Sequence, residues 1–147
     1  MDTLRFSNRN EEDFLDKENQ GYLKSMHTER LEIIRSDYSD EINHLYDIVL
    51  KETGKKVGWV NLIEKDVDDY IEIWYSILKK YRNQGICTEA LEVLINNSPN
   101  KSFYIETWSS NKASIQVGRK LEEKLNQHGF NCFVKKSLLW VFFFEKN

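Results

Sequence analysis

Residues 70–97 constrain this chain more than any other stretch. Tyr70-Ile71-Glu72-Ile73-Trp74-Tyr75-Ser76-Ile77-Leu78 is rich in β-branched and aromatic side chains and reads as a buried strand. Two lysines follow, Lys79 and Lys80, then the basic turn Tyr81-Arg82-Asn83-Gln84-Gly85-Ile86-Cys87 with its single glycine. From Thr88 to Asn97, Ala90, Leu91, Leu94 and Ile95 recur at helical spacing. A strand that turns through one glycine into a helix can aim several main-chain N–H groups at one point. The helix start adds unpaired donors and partial positive charge there, which suits a phosphate or pyrophosphate. Gly85 has no Cβ, so an anion can come close to the backbone. The competing reading is an ordinary turn, with Lys79 and Lys80 as a solvated rim.

The flanking sequence builds a mixed sheet around that unit. Residues 3–7 read as a short strand with Leu4 and Phe6 on one face. Asn8 or Asn10 caps a helix over residues 11–18, whose first turn holds Glu11, Glu12 and Asp13. Over residues 20–36, Tyr22, Leu23, Met26, Arg30, Ile33 and Ile34 fit one helical stripe, and a helix is the expectation, although residues 31–35 also read as extended. Ser36-Asp37-Tyr38-Ser39-Asp40 is a loop. Strands over residues 44–51 and 56–64 flank the turn Glu52-Thr53-Gly54-Lys55, and Asp66-Val67-Asp68-Asp69 turns into the strand at Tyr70. Three strands joined by tight turns make an antiparallel meander.

Pro99 marks the break after the helix. The next strand, residues 102–107, is reached through that helix and is expected to run parallel to the strand before the glycine turn. Ser109-Ser110-Asn111 caps a second helix to about residue 127, with Ile115, Gly118, Leu121 and Leu125 inward and His128-Gly129 at its end. Residues 130–135 and 138–145 close the sheet as an antiparallel pair. With 147 residues, 40% of them apolar, the chain can bury one core, so residues 1–147 read as a single α/β (α+β) domain.

Charge and cysteine content exclude some partners. A formal charge of −3 provides no field that would gather nucleic acid or an anionic membrane. The longest apolar run, residues 138–144, is too short to span a bilayer, and Met1-Asp2-Thr3-Leu4-Arg5 lacks a signal-peptide layout. Cys87 and Cys132 show no metal-ligand spacing, so no metal is expected, and reduced thiols fit a cytoplasmic protein. Of His27, His44 and His128, none has a partner at a catalytic spacing, and all three read as surface or cap residues.

Arg82-x-x-Gly85-x-Cys87, followed by Thr88-Glu89-Ala90-Leu91, resembles the acetyl-CoA loop of the GNAT N-acetyltransferases. In that family the last motif position is Gly or Ala, where this chain has Cys87. Asn111-Lys112-Ala113-Ser114-Ile115 with Lys120-Leu121 resembles the family's later Asn-x-x-Ser helix, especially in the RimJ/RimL-like branch. The resemblance spans about residues 55–121. It implies a mixed, mostly antiparallel sheet of about seven strands, splayed in the middle, with about four flanking helices.

It also implies an enzyme that moves an acetyl group from acetyl-CoA to a primary amine by direct attack in a ternary complex. By resemblance, the backbone of Trp74, Tyr75, Ser76, Ile77 and Leu78 would pair with the pantetheine arm. An N–H from residues 75–77 would meet the thioester oxygen. Arg82, Asn83, Gln84, Gly85, Ile86, Cys87 and Thr88 would hold the pyrophosphate, and Asn111 and Ser114 would face the cofactor. Plain core packing competes with these roles for Trp74 and Tyr75.

For the base, Glu106 matches the position of a catalytic glutamate in RimI-like members, and Glu72 is the second candidate. The family's usual general acid, a tyrosine seven residues after the asparagine, is replaced by Gly118; Tyr104 or water remains for that role, or the thiolate leaves unaided. Cys87 at a helix start is open to a lowered thiol pKa or to simple packing. The acceptor stays open among a protein N-terminus, a lysine and a small-molecule amine, as does the choice between monomer and homodimer. The alternative reading is a CoA-binding sensor or interaction module on the same fold.

Overall fold

A computed structural model describes residues 21–65 and 69–147. The expected first strand and first helix, residues 3–7 and 11–18, lie outside the described residues. Eight strands form one sheet: β1 (Ser25–His27), β2 (Leu31–Arg35), β3 (Asn43–Leu50), β4 (Lys56–Glu64), β5 (Ile71–Ile77), β6 (Ser102–Trp108), β7 (Phe130–Lys135) and β8 (Leu139–Lys146). Their order is β1-β2-β3-β4-β5-β6-β8-β7. Two α-helices are present among the described residues, α1 (Ile86–Asn96) and α2 (Lys112–Asn126), with a single 3-10 turn at Lys79–Tyr81. Neither helix is long and apolar enough to cross a membrane.

Alternation decides most of this sheet. In β3, His44, Tyr46 and Ile48 turn inward while their neighbours are half-buried, and β4 answers with Val60 and Leu62. In β6, Phe103, Ile105 and Thr107 are buried and Glu106 and Trp108 exposed. The inward face is covered by α1, whose Ala90, Leu91, Leu94 and Ile95 are 0–1% exposed, and by α2 through Leu121 and Leu125. Each such leucine or isoleucine contributes about 1.5–3 kcal/mol through removal from water.

The helix expected over residues 20–36 is absent: those residues form β1 and β2, paired with each other and with β3 through Ile33↔Ile48. Leu31 and Ile33 are fully buried while Ile34 is exposed, a two-residue period that the apparent helical stripe concealed. The expected turn over residues 66–69 lies mostly outside the described residues; the other described strands lie within a few residues of expectation, and the two C-terminal strands pair antiparallel.

All neighbouring strands run antiparallel except β5 and β6, which are parallel. That pair is joined only at Ile71↔Phe103 and Glu72↔Tyr104; beyond these positions the two strands part. Every other interior pairing of the sheet is five or more residues long, so the gap beside Trp74 and Glu106 is the sheet's one interior opening among the described residues.

Candidate active site

On the helix side of that gap lies a cleft of about 740 Å³. β5 contributes Tyr75, Ser76 and Ile77 to its wall. Because N–H groups alternate along a strand, and Leu78 N–H donates to Val57 of β4 at 2.9 Å, the amides of Tyr75 and Ile77 point to the opposite edge, where β6 has left. The Leu78 amide is therefore consumed inside the sheet. Leu78 and Trp74 do not line the cleft, and both are 55% exposed, so Trp74 is not the core residue that its neighbours suggest.

The turn supplies Arg82, Asn83 and Gly85, and α1 supplies Ile86, Cys87 and Thr88. Gly85 caps α1 at φ 76°, and Asn83 also has a positive φ of 62°. Gln84, between them, does not face the cleft. None of the main-chain N–H groups of residues 83–88 donates to another described residue; the first helical bond is Glu89 N–H to Gly85 O at 3.0 Å. A row of unspent donors at a helix start, inside a cleft, has the chemistry to receive an anion. Arg82 is fastened by its Nε to Ile77 O at 2.9 Å, and Lys79 and Lys120 add positive charge along the wall.

The facing wall is the start of α2. Asn111 is its N-cap, with Oδ1 accepting from Ser114 N–H at 3.2 Å, so this side chain is both cap and cleft residue. Ala113, Gln116, Val117 and Lys120 share the cleft-facing side of the helix at three- and four-residue spacing. Sequence reasoning did not place Lys79, Tyr81 or this face of α2 in the site. The face was legible in principle, by extending helical spacing from Asn111. At position 118, where the resemblance expects tyrosine, α2 has a buried glycine.

Among the described residues, the buried Tyr75 hydroxyl has the Ser114 side chain as its polar neighbour, with no hydrogen bond of good geometry. Burial pushes this phenol up to about 12. Burial likewise raises the Cys87 thiol to about 12, which favours the packing reading of this residue over an activated thiol.

Neither candidate carboxylate lines the cleft. Both lie on the opposite sheet face, Glu106 exposed and Glu72 buried. Burial pushes the Glu72 carboxyl up, but the Lys65 ammonium at 2.7 Å, the Trp74 side chain and the Tyr104 hydroxyl together pull it below the usual carboxylate range. Tyr104 thus serves Glu72 and stands away from the cleft. Glu106 lies two residues past the last β5–β6 pairing, at the opening itself. His44 is buried rather than on the surface.

Residues 5–122 match the family model described as an acetyltransferase (GNAT) domain. The chain belongs to the GNAT acetyltransferase family. It is therefore an acyltransferase of a family that uses acetyl-CoA. Among solved structures, an acetyltransferase from Agrobacterium tumefaciens is similar at TM-score 0.63 and 13% identity, over 84% of this chain and 95% of that one. A ribosomal-protein-S5-alanine acetyltransferase from Vibrio fischeri is similar at TM-score 0.55 and 14% identity, over 83% and 95%. A RimL ribosomal L7/L12 α-N-protein acetyltransferase in complex with coenzyme A is similar at TM-score 0.57 and 14% identity, over 80% and 93%. At such identities the likeness is one of fold. No curated protein matches the chain in sequence.

Proposed function

We propose that this GNAT protein, as a single domain, is an acetyl-CoA-dependent N-acetyltransferase that acetylates a primary amine by direct attack within a ternary complex. The observation that carries the reading is the row of unspent amides at residues 83–88, beside a strand whose neighbour has parted from it. The N–H groups of Asn83, Gly85, Ile86, Cys87 and Thr88, with Arg82, would hold the pyrophosphate. The outward amides of Tyr75 and Ile77 would receive the pantetheine arm and the thioester oxygen, while Asn111 and Ser114 close the opposite wall. The cofactor, when bound, supplies the activated acetyl group. A fixed N–H near the thioester oxygen lowers the barrier because charge develops there in the transition state.

The acceptor amine reaches the thioester through the opening between β5 and β6. Glu106 stands at that opening and would attract the ammonium and take its proton, directly or through water. Glu72, engaged with Lys65, holds the neighbouring strand end. Among acceptors, the RimL and ribosomal-protein neighbours favour a protein N-terminal amine.

Calorimetry with acetyl-CoA and CoA tests the reading. We expect micromolar binding of both, abolished in Gly85→Asp, because φ 76° strains any residue that carries a Cβ and the added negative charge sits beside the amide row. No binding at high micromolar ligand would overturn it. Turnover is then followed as thiol release, with peptides bearing a free N-terminus compared against lysine analogues and polyamines.

A further inference from the structure

The amide row points into the cleft only if the peptides that carry it are held in one orientation, and the fastening comes from a distant part of the chain. Arg30, between β1 and β2, donates from Nη2 to the main-chain carbonyl of Gln84 at 3.0 Å. The same guanidinium grips Glu89 in the first turn of α1, Nε to Oε1 at 2.9 Å and Nη2 to Oε1 at 2.7 Å. Thr28 donates its hydroxyl to the other carboxylate oxygen of Glu89 and accepts from Leu31 N–H at 3.1 Å, and Lys51 N–H fixes Arg30 O at 2.9 Å.

In a planar trans peptide the C=O and N–H point in opposite directions. No peptide among the described residues is cis. Drawing the Gln84 carbonyl back toward Arg30 therefore drives the Gly85 N–H forward, and Gly85, unlike Gln84, lines the cleft. The arrangement needs this hold because glycine tolerates either sign of φ, so the Gln84–Gly85 peptide is the one that flips at least cost. A flipped peptide would aim a carbonyl oxygen at the bound anion.

We propose that Arg30, clasped by Glu89 and Thr28, is a positioning residue that locks the Gln84–Gly85 peptide with its N–H toward the anionic ligand. The inference rests on the cleft being the CoA site. It goes beyond that reading by giving a task to residues of the β1–β2 turn, which do not line the cleft.

The test separates orientation from charge. CoA affinity is measured by calorimetry for wild type, Arg30→Ala, Arg30→Lys and Glu89→Ala, with the melting temperature of each ligand-free protein as a folding control. We expect Arg30→Ala to weaken CoA binding by about tenfold, on the scale of one charged hydrogen bond. Arg30→Lys should weaken it nearly as much, since a lysine keeps the charge and loses the fork. Glu89→Ala should weaken binding too, because Arg30 loses its anchor. If charge alone mattered, Arg30→Lys would bind like wild type and Glu89→Ala, one negative charge lighter, would bind more tightly; that pair of results overturns the proposal.

A ligand-free readout covers the remaining cases. The Gly85 amide resonance of folded, ¹⁵N-labelled protein should move in Arg30→Lys and Glu89→Ala, and an unmoved resonance overturns the lock. Failure of the wild type to bind CoA would sink the cleft assignment instead, with the amide resonance still reporting on the clasp.

Discussion

Gly118 and the ring of Phe142 claim the same space: a Cβ at position 118 would stand 2.6 Å from Phe142 Cε1 and 2.7 Å from its Cδ1 and Cζ. Helix α2 therefore lies directly on β8, and no side chain fits between them. Gly118→Ala would gain up to about 1 kcal/mol of helix propensity and lose about 1–3 kcal/mol to overpacking, for a net loss of stability. The urea midpoint should fall at constant slope, and Gly118→Ala with Phe142→Leu should recover part of it. A more stable single variant would contradict the contact.

The two glutamates should separate by assay. Glu106→Gln is expected to lower turnover by about 10²–10⁴, the range for loss of an acid–base group, with CoA affinity unchanged. Glu72→Gln breaks a buried carboxylate's contact with Lys65 and should lower stability by about 1–2 kcal/mol. The readouts are thiol release under saturating acetyl-CoA and thermal melting. Exchange of the two phenotypes would reverse the assignment of the base.

His44 makes stability depend on pH. Its Nδ1 lies 3.0 Å from Arg35 Nη1, which can only donate, and its Nε2 is 2.6 Å from Glu64 Oε2. These partners fix the neutral ring with its proton on Nε2, and the ring stacks on Tyr22 at 3.7 Å. Burial lowers the pKa most and Arg35 lowers it further, while Glu64 and Asp40 pull the other way without prevailing. In the unfolded chain the ring titrates near about 6.5. Between that value and the lower folded one, the unfolded state binds more protons, so stability is full above about pH 6.5 and declines as the pH falls below it. Urea midpoints measured from pH 7.5 to 5 should show this slope, and His44→Gln should flatten it. A midpoint that rose toward pH 5 would refute it.

Thiol chemistry gives a simple check on Cys87 and Cys132. Burial raises them to about 12 and about 11 respectively, so almost no thiolate is present near neutrality. Iodoacetamide at pH 8 should alkylate the native protein at least about tenfold more slowly than the same protein in guanidinium. Equal rates would restore the reactive reading of the helix-start cysteine.

Much of this architecture was legible because its signals are local. The Gly85 turn, the Asn111 cap and the Gly129 stop each depend on a few consecutive residues, the turn at Gly54 marked β3 and β4, and an apolar run marked β8. Three features were not legible, for a common reason. Whether residues 31–35 extend was decided by pairing with β3, through Ile33↔Ile48, which no local window contains. Trp74 sits in a nearly continuous apolar run that suggests burial on both faces, yet it is exposed on the sheet face away from the two helices. His44 lacks a partner in sequence because Arg35 and Glu64 come from adjoining strands. Glu72 and Glu106 were named from the sequence as candidate carboxylates, and which of them Lys65 engages needed the fold.

The meagre seam between β5 and β6 also has a mechanical consequence. Among the described residues, β1–β5 and β6–β8 are two rafts whose main chains are moored to each other over only two residues, with α1 on the first raft packed against α2 on the second. Their relative tilt is the softest motion left to the sheet. An occupant lodged across the mouth would tie the rafts together a second time, so hydrogen exchange should slow in the outer halves of both strands at once.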